Sequence, residues 1–152
     1  MFVGEAPGRQ EDLRGEPFVG AAGKVLDDLL ASVGLARSDV YITNVVKSRP
    51  ISGPAPGRNR TPAPEEVAAC APWLEEQLNI IRPRVVVTLG RIALEHFLPG
   101  RSISKVHGRP ISTGRLTILP LYHPAVALYG RSRVRILRRD FQNLRPLLKS
   151  IR

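Results

Sequence analysis

Hydrophobic and polar positions alternate in blocks along the chain. Phe2-Val3-Gly4 reads as the end of a buried strand, with no lead-in before Met1, so either the fold starts at its first strand or residues upstream are missing. Over 21–34, Ala22, Leu26, Leu29, Leu30 and Val33 recur at helical spacing, and Gly34 suits the stop. Val40 to Val46 is rich in β-branched residues and predicts a strand. Residues 48–63 form a long Pro/Gly/Arg loop. Pro64 opens a helix with Val67, Cys70, Ala71, Leu74, Leu78 and Ile81 inward, which Pro72 should kink or split. Arg84 to Leu89 is a continuous apolar strand, as expected when helices cover both faces of a sheet.

Gly90 then leads into a helix over 91–98, and 103–120 reads as short strands around Gly108 and Gly114, ending in the apolar LTILPL. His123-Pro124 starts a loop or short helix. A last helix is expected from about Arg133 to Ile151, with Val134, Leu137, Phe141, Leu144, Leu148 and Ile151 inward. Strands alternating with helices predict one α/β domain over 1–152, a three-layer α/β/α sandwich around a mostly parallel sheet. Sites in such sheets lie beyond the carboxyl ends of the strands. The four candidate ends are Gly4-Glu5, Thr43-Asn44, Leu89-Gly90 and Tyr122-His123.

Composition narrows the chemistry. The 152 residues are 43% hydrophobic, enough for a real core. Lys and Arg total 23 against 13 Asp and Glu, a net charge of +10 that points to a polyanion partner, nucleic acid first. The single cysteine, Cys70, excludes an internal disulfide and any four-thiolate site made by this chain alone. No apolar run approaches a membrane span and no signal-peptide pattern opens the chain, so a cytoplasmic, nucleoid-associated monomer is expected.

Each candidate residue has an ordinary reading beside the chemical one. Gly4-Glu5-Ala6-Pro7-Gly8 follows a strand and can aim backbone N–H groups at an oxyanion, or be a plain turn. Phe18, after Glu11-Asp12 and before Gly20, can stack on a base or staple a helix start. Asn44 offers the donor and acceptor that a pyrimidine edge requires, or simply caps its strand. His123 can stabilise developing negative charge, or be a capping or partly buried histidine. His96 and His107 are weaker candidates, His96 reading as a surface or structural residue of its helix. Lys47, Arg49, Arg58 and Arg60 by the Pro-rich loop, and Arg131 and Arg133 before the last helix, suit a phosphate backbone; further arginines of that helix also fit a solvated face.

In order, GEAPG, EDxxGxPFVGxAGxxL, VYITNxVKxRP, NRTPxPEE, a strand ending LG, and HP after an apolar strand resemble the uracil-DNA glycosylase superfamily, most closely its family 4, from Phe2 to Arg152. The resemblance implies a four-stranded parallel sheet between helices and hydrolysis of the N-glycosidic bond of a flipped-out deoxyuridine, in base excision repair of uracil-containing DNA. It implies that Phe18 stacks on uracil, Asn44 reads its Watson–Crick edge and His123 donates toward O2. Glu5 and the backbone of Ala6 to Gly8 would stand near the attacking water, and Glu11 would wall off the C5 position. One departure concerns the family's iron–sulfur cluster, held by four cysteines. Cys70 matches the last of them, Ser48 replaces the third, and the first pair would fall before Met1, so no cluster is expected in this chain. The Arg49–Arg60 loop, with ISGPAPG, is also longer than the family pattern. Two rival readings remain: a catalytically weak member that binds uracil-containing or single-stranded DNA, and a small nucleotide- or phosphate-binding α/β protein.

Overall fold

A computed structural model describes residues 1–114 and 116–150. A central sheet of five strands has the order β2-β1-β5-β7-β6. Its parallel part is β1 (Phe2–Gly4), β2 (Ile42–Asn44), β5 (Val85–Leu89) and β7 (Leu116–Leu121); β6 (Ile111–Thr113) pairs antiparallel with β7 at the edge. The resemblance implies four strands; β6 is the fifth, in the region read as short strands around Gly114, where the chain folds back on itself.

Strand alternation sorts the core onto two faces. Phe2, Val85, Val87, Leu89, Leu119 and Leu121 face one layer, packed with Leu26 and Leu30 of α2 (Ala21–Ser32) and Leu137 and Phe141 of α6 (Arg131–Phe141). Val3, Val86 and Ile118 face the other, with Leu74 of α3 (Pro64–Ile81) and Ala93 of α4 (Arg91–Phe97). Both faces of β5 are therefore covered, and all five of its residues are buried.

Several elements differ from the sequence reading. α1 (Arg9–Arg14) is a single short helix inside the first loop, with no buried residue and hence no apolar periodicity to reveal it. The strand expected over 40–46 is only Ile42–Asn44, since β1, its one neighbour, is three residues long. α3 passes Pro72 as one helix. Pro72 and Ala68, whose carbonyl loses its donor there, are both exposed, so water can replace the missing bond. The 48–63 loop is not featureless. It holds a hairpin of β3 (Ile51–Ser52) and β4 (Arg58–Asn59), gripped by arginine side chains.

The final helix is two, α6 and α7 (Leu144–Ser150). Pro146 cannot donate to the carbonyl of Gln142, and Asn143 turns aside to donate from Nδ2 to the Gly108 carbonyl at 2.7 Å. Ile151, expected inward, lies outside the described residues. Gly108 follows the one-turn helix α5 (Ile103–Val106) with φ +73°, and a Cβ there would stand 2.8 Å from the Asp140 carboxylate. Asp140 is buried and binds His107 Nδ1 at 2.5 Å and Arg139 at 2.8 Å, tying the β6 side of the sheet to α6.

Burial ranks the consequences of truncation. Leu26→Ala should cost about 2–5 kcal/mol of unfolding free energy in urea melts. Trp73→Ala, on the exposed side of α3, should stay within about 0.5 kcal/mol.

Candidate functional site

All four predicted strand ends lie at the same edge of the sheet, because β1, β2, β5 and β7 run parallel. A cleft of about 460 Å³ opens there. Its lining brings together Glu5, Ala6, Gly8, Glu11, Phe18, Asn44 and His123 from five separate segments. Pro50, Asn59 and Arg60 from the hairpin side close its mouth.

The floor is made by Gly4, the last residue of β1. A Cβ there would come 2.5 Å from Asn44 Oδ1 and 2.6 Å from the Phe18 ring, so only glycine lets the two side chains converge. Asn44 is 5% exposed, and its Oδ1 is buried without a hydrogen-bond partner among the described residues. An unmet buried amide oxygen costs about 1–3 kcal/mol. A ligand that donates to it would remove that penalty. The other such atom, Thr88 Oγ1 in the middle of β5, has no explanation in the structure.

Phe18 is buried at φ +53°, a left-handed conformation that costs a residue with a Cβ about 1–2 kcal/mol. Its ring lies 5.5 Å from that of His123, centre to centre, at 27°. His123 follows β7 and begins the 3-10 turn Pro124–Tyr129. Its Nδ1 accepts the Ala125 N–H at 3.2 Å, which leaves the proton on Nε2. Burial lowers its pKa below 6.5, with Glu11 opposing. The imidazole is thus a partly buried, neutral Nε2 donor at neutral pH.

Glu5 stands at the end of β1, half-buried. Burial raises its pKa above 4.5, against the pull of Arg91 at the start of α4. Sequence reasoning missed Arg91; its signal was the position directly after the strand-ending Gly90. Glu11 on α1 does more than line the cleft. Its Oε1 accepts two backbone N–H groups, of Val19 at 2.9 Å and Gly20 at 2.8 Å. Ala6 and Gly8 contribute backbone to the wall, and Gly8 packs closely on Glu11 Oε2.

The cationic residues divide by what they already hold. Lys47 Nζ donates to Thr43 Oγ1, the Asn44 carbonyl and Gln77 Oε1 at 2.7–2.9 Å, and burial lowers its pKa to about 8. Arg49 donates to Asn59 Oδ1, the Pro56 carbonyl and the Gly57 carbonyl, and so braces the hairpin. Arg60 forks onto Glu66 with two 2.7 Å bonds and also binds the Ile51 carbonyl. The Arg60 guanidinium, followed by the Ala63 N–H, holds Glu66 down to about 2. The side chains of Arg58, Arg131 and Arg133 are exposed and have no hydrogen-bond or ion-pair partner among the described residues.

The iron–sulfur cluster implied by the resemblance does not fit the residues present. Cys70 is the sole cysteine, and its Sγ accepts the Lys47 N–H at 3.3 Å while the residue packs against the buried cluster that includes Val45, Val46 and Leu74. Among the described residues no three His, Cys, Asp or Glu side chains gather as metal ligands.

Comparison with known proteins agrees with this geometry. The family model "Uracil DNA glycosylase superfamily" matches residues 1–149. A type-4 uracil-DNA glycosylase of Archaeoglobus fulgidus is 51% identical over 138 residues, 85% of this chain and 66% of that protein. Type-4 enzymes of Thermotoga maritima and Sulfurisphaera tokodaii are 46% and 43% identical over 98% and 97% of this chain, and over 77% and 69% of their own lengths. The chain therefore spans roughly two thirds to three quarters of the length of these relatives. With a family match along almost its whole length and a cleft lined at three of the four strand ends that the motifs mark, the chain belongs to the uracil-DNA glycosylase superfamily.

Proposed function

We propose that the chain is a uracil-DNA glycosylase that flips deoxyuridine out of DNA and hydrolyses its N-glycosidic bond, the opening step of base excision repair. The observation that carries this reading is the unpartnered Asn44 Oδ1, buried at the floor of a cleft that Asn44 lines together with an aromatic ring and a neutral histidine donor. Uracil presents an N3–H to that oxygen and an O4 to the amide nitrogen, while its ring lies against Phe18. Cleavage of the C1′–N1 bond leaves the electron pair on uracil, and O2 shares the charge. His123 Nε2–H, already neutral, binds that oxygen more strongly as charge develops. Water adds at C1′ and loses its proton to Glu5, whose burial makes it a stronger base than an ordinary carboxylate. Glu11 fills the space beside C5, where thymine carries a methyl group.

Uracil-containing DNA is the partner. Among the described residues no helix is long and apolar enough to cross a membrane. Phosphate contacts fall to the exposed Arg58, Arg131 and Arg133, whereas Lys47, Arg49 and Arg60 act mainly by shaping the cleft. A cytoplasmic, nucleoid-associated monomer is the working form, and this chain's own residues carry the reaction without a cluster.

The direct experiment incubates labelled uracil-containing oligonucleotide with the protein, treats it with alkali and looks for strand scission. Scission is expected; its absence, with retained binding in a gel shift, would leave only a DNA-binding member of the family. In single-turnover assays His123→Ala should slow release by about 10²–10³-fold, the scale of losing one oxyanion donor. Excision by the wild type should fall as acid protonates His123, at a pH below its ordinary 6.5. The same lowered pKa makes acid destabilising. Below pH 6.5 the unfolded chain takes up a proton that the folded chain refuses, so stability declines as pH falls toward the lowered value.

Two substitutions test the floor of the cleft. Gly4→Ala should abolish uracil binding in a titration with the free base, and Asn44→Asp should lose preference for uracil over cytosine in competition assays. Salt titration tests the charge assignment. Arg58→Ala should flatten the log–log slope of duplex binding by about 0.9, one phosphate contact.

A further inference from the structure

Phe18 holds a left-handed backbone with no glycine to permit it, so something must fix the torsions on both sides of its Cα. Those torsions are set by two peptide planes: the one that carries the Pro17 carbonyl and the one that carries the Val19 N–H. Each plane is gripped from a different element. Arg37, in the 3-10 turn Arg37–Asp39 beyond α2, donates from Nη2 to the Pro17 carbonyl, and its Nη1 is anchored on Asp27 of α2 at 3.1 Å. Glu11, on α1, accepts the Val19 and Gly20 N–H groups on one oxygen. The Phe18 carbonyl, in the second plane, tucks against Gly23 of α2, where a Cβ would stand only 1.8 Å from it.

We infer that Arg37, Glu11 and Gly23 form a clamp that fixes the Phe18 backbone and so presents its ring to the base. This deepens the proposed function and rests on Phe18 being the stacking surface. Arg37 and Gly23 are positioning residues: neither lines the cleft, and each acts on the substrate only through Phe18. Glu11 has a double role, one oxygen holding the turn and the other facing Gly8. A purely structural ion pair on the surface would serve stability alone; this one ends on the carbonyl next to the residue whose backbone is strained.

The test uses the full chain and the variants Arg37→Met, Gly23→Ala, Phe18→Ala and Arg37→Met with Phe18→Ala. Three quantities are measured: affinity for free uracil by NMR titration, affinity for an oligonucleotide carrying a tetrahydrofuran abasic site, and amide exchange at Val19 and Gly20. Phe18→Ala should weaken uracil by about 5- to 150-fold, the range for loss of one aromatic stack. Arg37→Met should weaken it by part of that, about 3- to 10-fold, and change abasic-site affinity by less than about twofold. Adding Arg37→Met to Phe18→Ala should then weaken uracil no further, because the effect runs through the ring. Both amides should exchange faster in Arg37→Met. Gly23→Ala should give the same pattern, and serves if Arg37→Met does not fold.

Unchanged uracil affinity in the folded variants would overturn the clamp. So would an equal loss of abasic-site affinity, or a further loss on top of Phe18→Ala. If the wild type binds no uracil, the functional reading fails, and exchange at Val19 and Gly20 alone decides whether the clamp exists.

Discussion

At Gly4 the end of β1 leaves no room for a methyl group between Asn44 and Phe18. That constraint orders much of the rest. β1 is only three residues long and lies between β2 and β5, so its register aligns Gly4 with Asn44 and Val3 with Thr88. Phe2 and Val3 point to opposite layers and anchor both cores, which keeps the strand from sliding. A one-residue slip would exchange those faces and move Gly4 away from the floor of the cleft. Packing far from the site therefore determines whether the site exists.

The strands and helices with buried faces were legible in the sequence, because burial writes a period. β5 shows as an unbroken apolar run, and α2 as leucines at helical spacing. α1 was not legible, since it buries nothing. The break between α6 and α7 combines a local signal, Pro146, with a distant one, the contact from Asn143 to Gly108, 35 residues away. Pro72 does not split α3: a helix tolerates proline where the orphaned carbonyl meets water, and local sequence does not say which side faces out.

The site was legible as a set of strand ends, but the work of its residues was only partly so. Glu11, Phe18, Asn44 and His123 meet in one cleft, as the motif order implies. That Glu11 binds two amides, that Arg37 reaches the adjacent carbonyl, and that the charge of Arg91 acts on Glu5 all depend on three-dimensional approach. Charge was the least transparent feature. A net +10 invites every arginine near a loop to be read as a phosphate contact, yet Arg49 and Arg60 hold the hairpin and α3 together. Arginine's fork suits carbonyl and carboxylate partners as well as phosphate.

The bond from Ala125 to His123 Nδ1 has a consequence for what the cleft can accept. A histidine that stays neutral lends a hydrogen bond without surrendering a proton, so in the proposed reaction the base departs as an anion. The cleft therefore favours bases by their acidity as well as by their shape. A nucleobase that carries negative charge poorly would find its edge read correctly and still remain attached to its sugar.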